Sequence, residues 1–170
     1  MLGRMDDKYA RYAHEVGARL TGQPLQLEKR AHLGASQAAL FAYLTDIEKI
    51  AEWIPVAKRS WADDSNAEAP SQVGSVRVIS TGVGTPTRET ILAYEAPRML
   101  AYSASDKSLF GMYTDHLSVI TCEPHEDGGT VMTWLAFAKP GRPPMRWLGP
   151  AVFAAALGGG MRNLKKRFPR

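Results

Sequence analysis

The sequence predicts an α+β protein in which a curved antiparallel sheet of about seven strands wraps around a long C-terminal helix. Three observations lead to this prediction. Runs rich in β-branched and aromatic residues, separated by turn residues, recur about every ten to fifteen residues between Val56 and Lys139. Two short helical patterns precede these runs, and a long helical pattern follows Pro144. The 170 residues suit one hydrophobic core.

The first segment, residues 1–24, is predicted to be an amphipathic helix that precedes the main domain, residues 25–170. Its apolar side chains recur at helical spacing, and Gly22 and Pro24 end the pattern. The residues on this apolar face are Met5, Tyr9, Tyr12, Ala13, Val16 and Leu20. The face either covers the body of its own chain or forms a homodimer, and both arrangements fit the pattern.

A strand with the sequence PLQLEKRAHL opens the main domain, and two short helices are predicted after it. Ser36 stands where the first of these helices begins, and its hydroxyl suits an N-cap. The residues that share the buried face of this helix are Leu40, Phe41 and Leu44. The second helix, IEKIAEW, begins after Asp46 and ends before Pro55, because the residue preceding a proline disfavours helical geometry.

Six further strands are predicted along the middle of the chain. Their sequences are VAKRSWA, SVRVIST, TRETILAYE, RMLAYSA, TDHLSVITCE and TVMTWLAFA. The segments GVGTPT, EAPR and PHEDGG between them contain the glycine, proline and aspartate residues that tight turns need. Strands that follow one another through such short turns pair as an antiparallel meander.

The C-terminal helix begins near Pro143 and Pro144 and is predicted to be buried over most of its girth, because it carries two adjacent apolar stripes. One stripe is Leu148, Val152, Ala156 and Asn163, and the other is Phe153, Leu157, Leu164 and Phe168. The sequence AAALGGG at residues 154–160 is too small to fill a concave sheet. These residues leave room for a ligand, allow another backbone to approach closely, or mark a break in the helix.

Composition excludes several classes of protein. Hydrophobic residues make up 45% of the chain and charged residues 22%, as in ordinary globular domains. Cys122 is the only cysteine, so an internal disulfide cannot form, and nothing at the N-terminus resembles a signal sequence, which favours the cytoplasm. The longest uncharged run, between Arg146 and Arg162, is shorter than the roughly 20 residues that a membrane-spanning helix needs.

Positive charge is concentrated at the C-terminal end, where residues 139–170 include eight Lys or Arg and no acidic residue. These side chains either are solvated and favour the end of the helix, or make weak contact with an anionic membrane. The tryptophans, Trp53, Trp61, Trp134 and Trp147, do not alternate with basic residues. They are therefore predicted to lie in the core or in a cavity wall, and nucleic-acid binding is not expected.

The order of the elements resembles the helix-grip fold of the SRPBCC superfamily, which includes START-like lipid-transfer domains. The segments LFAYLTDIEKIAEWIP, VGSVRVIS, RETILAYEAPRMLAY, GGTVMTW and NLKKRF are similar to successive segments of its polyketide cyclase/dehydrase-like branch. This resemblance covers about residues 25–168. It implies an internal cavity that binds, and in some relatives transports, a small hydrophobic molecule such as a lipid, polyketide or aromatic metabolite.

The resemblance also implies which residues line the cavity. From the strands they are Ile79, Thr81, Glu89, Ile91, Leu100, Tyr102, His116, Ser118 and Trp134, and from the helix they are Ala156, Gly159 and Asn163. The segment GVGTP corresponds to a loop that gates the pocket in relatives. The strand residues depend on register, because a slip of one residue exchanges the two faces of a sheet.

Glu89 is the predicted cavity residue with the most specific consequence. A carboxylate in an apolar cavity should have a raised pKa and should seek a donor such as Arg77, Tyr102, His116 or a water molecule. The alternative is a Glu89 on the outer face, paired with Arg88 or a surface lysine. With Glu89 inside, the leading interpretation is a ligand-binding protein.

An enzyme of the cyclase or dehydratase class is the alternative function. Glu89 and His116 would be its catalytic acid and base, with Tyr102 assisting. No cofactor is predicted, because Gly82 and Gly84 lie in a hairpin and not between a strand and a helix. No metal site is predicted either, because His14, His32 and His125 lack the short spacing of zinc ligands and Cys122 has no nearby partner.

Overall fold

The computed structural model describes residues 3–104 and 112–170, and its elements follow the predicted order. The helices are α1 (Gly3–Leu20), α2 (Gln37–Thr45), α3 (Ile50–Trp53) and α4 (Met145–Arg167), with a 3-10 turn at Ile47–Lys49 before α3. The strands are β1 (Leu25–Leu33), β2 (Arg59–Asp63), β3 (Val76–Ser80), β4 (Thr87–Glu95), β5 (Met99–Ala104), β6 (Tyr113–Pro124) and β7 (Thr130–Pro140).

The seven strands form one antiparallel sheet in the order β1-β7-β6-β5-β4-β3-β2. Strands β2 to β7 are a meander, and β1 pairs with β7 at one edge. Register shifts lie between Ile91 and Ala93 in β4 and between Thr114 and Leu117 in β6. Such irregularities bend a strand and increase its twist, which helps the sheet to curve. The predicted helix-grip architecture is confirmed.

The predicted starts of the two short helical segments are also correct. The side chain of Ser36 accepts a hydrogen bond from the Ala39 backbone N–H at 3.4 Å, as an N-cap residue does. Asp46 in the same way accepts from the Glu48 N–H at 3.0 Å and begins the 3-10 turn. These local hydrogen bonds set where the two helical segments begin, and the buried side chains of α2, Leu40, Phe41 and Leu44, pack into the core.

Helix α1 covers the outer face of its own sheet, which is one of the two arrangements that the sequence allows. Ala13 and Val16 are buried in a cluster with side chains of β6 and β7, among them Leu117 and Phe137. Leu20, at the end of the helix, is 39% exposed. The side chains of Met5 and Tyr9 lie outside the described part of the chain. A homodimer through this helix stays a prediction.

Helix α4 crosses the inner face, but it is not buried over most of its girth as predicted. Phe153, Leu157 and Leu164 are buried, whereas Leu148 and Val152 are more than half exposed. Gly149, next to Leu148, packs so closely on the sheet side that a Cβ there would lie 2.9 Å from the Cβ of Met112. The neighbouring stripe is therefore exposed at its start, whereas its later members, Ala156 and Asn163, are half-buried.

None of the helices in residues 3–104 and 112–170 is both long and apolar enough to cross a membrane.

Candidate functional site

A cavity of about 370 Å³ lies between the inner face of the sheet, the α3–β2 segment and the first half of α4. The predicted residues that line it are Ile79, Thr81, Glu89, Tyr102, His116, Ser118, Trp134 and Ala156. The strand side chains among them share the inner face because they alternate along β3 to β7 with residues that point outward. Val56 and Val152 also line the cavity, and both are about half exposed, so they mark its opening to solvent.

Four residues of the predicted lining do not reach the cavity. Ile91 and Leu100 lie on the inner face, but they belong to the solid core that includes Phe41 of α2. Gly159 packs against Pro55, where an added Cβ would lie 2.6 Å from the proline Cγ. Asn163 instead donates a hydrogen bond to the Trp53 carbonyl at 3.3 Å.

The glycine run at residues 158–160 is therefore explained at Gly159 by close packing and not by room for a ligand. An added Cβ at Gly160 would make ordinary contact with Trp53 and Trp134, and Gly158 faces open space apart from Arg162. The small residue of α4 that lines the cavity is Ala156, one turn earlier.

The sequence did not predict the part of the wall that comes from α3, the segment after it and the larger α4 residues, nor several positions on the strands. The lining residues not predicted are Ile50, Trp53, Ile54, Val56, Arg77, Thr87, Ala104, Met112, Val152, Phe153 and Leu157. Of these, Arg77 could have been found from the hairpin register, because it lies directly opposite Glu89 on the neighbouring strand.

Arg77 and Glu89 form an ion pair inside the cavity. Arg77 Nη2 lies 2.6 Å from Glu89 Oε2, and the two side chains are only 5% and 13% exposed. Burial raises the pKa of the Glu89 carboxyl, although the guanidinium beside it acts in the opposite direction. Arg88 points to the other side and pairs with Asp63 at 3.0 Å, so it is not the partner of Glu89.

Tyr102 connects this ion pair to the rest of the cavity. The Arg77 guanidinium carbon lies 4.1 Å above the centre of the Tyr102 ring, a cation–π contact. Burial and the nearby Glu89 carboxylate raise the pKa of the Tyr102 hydroxyl, so the phenol stays protonated. The ring in turn faces that of His116, at a centroid distance of 6.3 Å.

His116 is a neutral imidazole in this environment, because burial lowers its pKa to about 4. Its Nε2 lies 3.2 Å from Ser118 Oγ, and the same oxygen accepts a hydrogen bond from Trp134 Nε1 at 3.3 Å. His116 Nδ1 and Arg77 Nε are buried and have no hydrogen-bond partner among the described residues. A bound molecule or water in the cavity can supply what these two nitrogens lack.

Glu89 and His116 are not hydrogen-bonded to each other. The carboxylate is held by Arg77, and the imidazole is held by Ser118. The arrangement is an apolar chamber with one compact group of polar side chains, which suits the orientation of a mostly apolar molecule. A catalytic role for Glu89 or His116 stays a prediction.

The predicted gate, GVGTP, adjoins the cavity. Thr81 and Thr87, on either side of it, line the cavity, and Val83 at its tip is 80% exposed. Glycines at 82 and 84 adopt φ angles of 82° and 74°, which the tight turn requires. Opening and closing of this loop stay a prediction.

The tryptophans divide between the cavity wall and the surface, so the predicted burial is correct for two of them. Trp53 and Trp134 are buried in the wall and meet edge to face, with ring centres 5.5 Å apart. Trp61 and Trp147 are 43% and 70% exposed. Trp147 lies next to Leu148 at the exposed start of α4.

A curved antiparallel sheet that encloses an apolar cavity against a long C-terminal helix defines the helix-grip class of ligand-binding folds. Within that class, the family model described as "Polyketide cyclase / dehydrase and lipid transport" matches residues 24–169. The chain belongs to this family, which confirms the resemblance inferred from the sequence. No curated protein matches the chain significantly in sequence.

Solved structures show the same fold at low sequence identity. The protein XoxI from Bacillus cereus superposes with a TM-score of 0.69 and 14% identity, covering 84% of this chain and 94% of that one. A point mutant of norcoclaurine synthase from Thalictrum flavum, in complex with a transition-state analogue, gives a TM-score of 0.62 at 11% identity over 86% and 95%.

The di-domain ARO/CYC protein StfQ from the steffimycin biosynthetic pathway is also similar, with a TM-score of 0.63 and 16% identity. The match covers 82% of this chain and 49% of StfQ, so the chain spans about half of the StfQ length. At these identities the likeness establishes the fold alone.

Proposed function

We propose that the cavity binds, and releases or transports, a small hydrophobic molecule with one polar group, such as a lipid, polyketide or aromatic metabolite. The main support for this proposal is an apolar chamber of about 370 Å³ that has a buried ion pair at one point of its wall. This volume falls within the roughly 300–1,000 Å³ that is typical of small-molecule sites. The lipid transport named in the family description supports the same proposal.

The polar group of the ligand should be neutral. Glu89 already neutralises Arg77, so a carboxylate on the ligand would add a second negative charge beside a cation that is already paired. A carbonyl or hydroxyl oxygen can instead accept from Arg77 Nε, and a hydroxyl can pair with His116 Nδ1 as donor or as acceptor, depending on the tautomer of the imidazole. The remaining walls then contact the hydrocarbon part of the ligand.

Filling the cavity tests whether it is the binding site. Ala156→Leu adds volume at the chamber wall, and Ala155→Leu adds the same atoms at an exposed position of the same helix. With the neutral fluorescent probe N-phenyl-1-naphthylamine, we expect Ala156→Leu to weaken binding at least tenfold and Ala155→Leu to leave it unchanged. Equal affinities in both variants would place the ligand elsewhere. Native mass spectrometry of the purified wild type should also detect a bound apolar compound.

Removing the charge of Glu89 tests whether the cavity prefers a neutral ligand. Glu89→Gln leaves Arg77 without its counter-ion, so a ligand carboxylate gains a partner. We expect the variant to shift preference by about tenfold from decanol towards decanoate, as measured by displacement of the same probe. An unchanged ratio of the two affinities would show that the polar end of the ligand does not meet this ion pair.

Acid–base catalysis of the cyclase or dehydratase type is a second candidate. Burial raises the pKa of Glu89 and keeps His116 neutral, so the cavity contains two titratable groups with shifted pKa values, and His116 Nδ1 has no hydrogen-bond partner among the described residues. The similarity of fold to StfQ and to norcoclaurine synthase supports the same class. Turnover of a poly-β-ketone-like substrate, lost in Glu89→Gln and in His116→Ala, is the expected result. Binding of this substrate without turnover would contradict catalysis and support only the binding and transport function.

Contact with an anionic membrane is the remaining candidate, and the cavity opening favours it. Val56 and Val152 line the opening, and further exposed apolar side chains, Val83, Trp147 and Leu148, belong to the adjoining loop and to the start of α4; these five residues are called the mouth rim. Arg142 and Arg146 are exposed beside Trp147 at the start of α4. Together they suit a surface that inserts apolar side chains between lipids while basic groups meet phosphate.

Vesicle flotation tests this contact. We expect the protein to float with vesicles that contain phosphatidylserine and not with phosphatidylcholine alone at low salt. Trp147→Ser should reduce the bound fraction severalfold, whereas Trp61→Ser, also exposed but on β2, should not. Equal flotation of both variants, or no flotation of the wild type, would contradict a membrane-facing rim.

A further inference from the structure

A second polar cluster lies on the surface, on the parts of the chain where β1 ends and β6 turns into β7. His32 comes from the end of β1, and His125 and Asp127 come from the β6–β7 turn. His32 Nε2 is 3.1 Å from Asp127 Oδ1, and His125 Nδ1 is 2.9 Å from the same oxygen. The two imidazole rings face each other with centres 4.1 Å apart. None of these residues lines the cavity.

We propose that His32 Nε2, His125 Nδ1 and Asp127 Oδ1 form a binding site for a first-row transition-metal ion, with Zn²⁺ as the representative ion. Two imidazole nitrogens and one carboxylate oxygen are a donor set that Zn²⁺ takes, with water in the open position. All three atoms lie within 4.8 Å of one another. Metal–ligand bonds of about 2.0–2.2 Å place neighbouring donors about 3–3.5 Å apart, close to the two separations observed.

The chain is closely packed around the donors, and Gly129 is the residue that allows their approach: an added Cβ there would lie 2.7 Å from the Leu33 carbonyl oxygen. A Cβ on Gly129 would lie 2.8 Å from His32 Nε2 and 3.1 Å from Asp127 Oδ1, so any side chain there would crowd two of the donors. Gly128, beside it, has a φ of 83° and closes the turn that brings Asp127 back towards β1. The two consecutive glycines thus keep the donors together and unobstructed.

Other groups orient the carboxylate, as the outer partners of metal ligands do. The Gly129 backbone N–H donates to Asp127 Oδ1 at 3.0 Å, and Arg170 donates to Oδ2 from Nη2 at 2.8 Å and from Nε at 3.1 Å. Arg170 therefore occupies the oxygen that the imidazoles do not use. These donors hold the pKa of Asp127 far below its usual range, so the carboxylate stays ionised at neutral pH.

An ion pair between Asp127 and Arg170 does not by itself explain the cluster. It leaves unexplained why two imidazoles converge on the opposite oxygen. His14 and Glu28 show the simpler arrangement elsewhere in the chain, with one imidazole 3.1 Å from one carboxylate oxygen. That pair is a matched control because it offers a histidine and a carboxylate without the second imidazole.

Isothermal titration calorimetry tests the site. The protein carries no histidine tag, is first treated with a chelator and is then titrated with Zn²⁺. We expect one ion per chain, at least tenfold weaker binding in His32→Ala and in Asp127→Asn, and unchanged binding in His14→Ala. Lowering the pH from about 7.5 to about 5.5 should also weaken binding, because protons compete for both imidazoles.

Thermal denaturation provides a second measurement. Because the ion binds the folded arrangement, Zn²⁺ should raise the Tm of the wild type and leave that of a His32→Ala, His125→Ala double variant unchanged. Circular dichroism verifies that the double variant is folded. Zn²⁺ binding of equal affinity in the wild type and the double variant, or binding only at millimolar Zn²⁺, would overturn the proposal.

Discussion

The inner face of the sheet has two halves that differ in how they are filled. In the half beneath α2, Leu40, Leu44, Leu100 and Leu164 come together in a fully buried core. In the half beneath the start of α4, the same sheet borders a chamber, and Ala156 is too short to close it. The difference lies in the covering elements, because α2 lies over only one of the halves.

The two halves also differ in polarity. The packed half contains apolar side chains, whereas the hollow half contains the Arg77–Glu89 pair and the His116–Ser118 contact. Buried polar groups are tolerated where a partner or a solvent-sized space is at hand, and they are costly in a dry core. The hollow half is therefore less densely packed than the other half, and its polar side chains border an open chamber.

Loss of Arg77 should have the largest effect of the substitutions that compare the two halves. Arg77→Met leaves Glu89 buried without its cation, and breaking such a pair costs about 3–5 kcal/mol of unfolding free energy. Urea denaturation measures this difference. Arg88→Met removes the exposed pair with Asp63 instead, and we expect its stability to match the wild type. Equal losses would mean that solvent in the chamber screens the Arg77–Glu89 pair.

Truncation of one large side chain in each half should come next. Leu100→Ala empties space in the packed half and should cost about 2–5 kcal/mol. Ile79→Ala enlarges a chamber that already exists, so we expect its cost to lie well below that of Leu100→Ala. Denaturant midpoints at constant m-value measure both. A larger loss for Ile79→Ala would show that the chamber is tightly filled in solution.

Acid should weaken the hollow half through His116, with a smaller effect. The pKa of this histidine is about 4 in the folded protein and 6.5 for an unperturbed side chain, so the unfolded chain binds the proton more readily between these pH values. Stability from this residue is fully present above pH 6.5 and is lost as the pH falls towards 4. The total is about 3 kcal/mol.

The unfolding free energies of the wild type and His116→Gln are compared at each pH. Because both proteins contain the same carboxylates, the change in their difference with pH reports His116. We expect the stability gap between the two proteins to shrink in favour of the variant as the pH is lowered through this window. His14→Gln, on the exposed side of α1, is the control and should follow the wild type. A constant gap would mean that His116 can be protonated in the folded state without cost.

Much of the fold was predictable because its signals are local. Ser36 and Asp46 cap helical turns through atoms two or three residues away, and the hairpin turns are encoded by their own glycine and proline residues. Alternation along β4 places Glu89 and Arg88 on opposite faces, and the family resemblance assigned Glu89 to the inner one. The partner of each residue was not determined by that alternation.

Other features required distances between remote parts of the chain. The small residues around Gly159 in the sequence suggest an open cavity at this point of the helix. In the folded chain, however, Pro55 packs against Gly159, and Pro55 is far away in the sequence. His32 and Asp127 lie 95 residues apart, so no spacing rule for metal ligands could have joined them. The exposure of Trp147 depends on how α4 is rotated about its own axis.

The order of the elements, the turns and the alternation of faces along each strand can therefore be read from the amino-acid sequence. They can be read there because caps, turns and alternation act over a few residues. The folded chain was needed to show which half of the inner face stays hollow, which of the candidate donors pairs with Glu89, and that two histidines meet Asp127. These features depend on contacts between residues that are far apart in the sequence, such as the packing of α2 and α4 on the sheet.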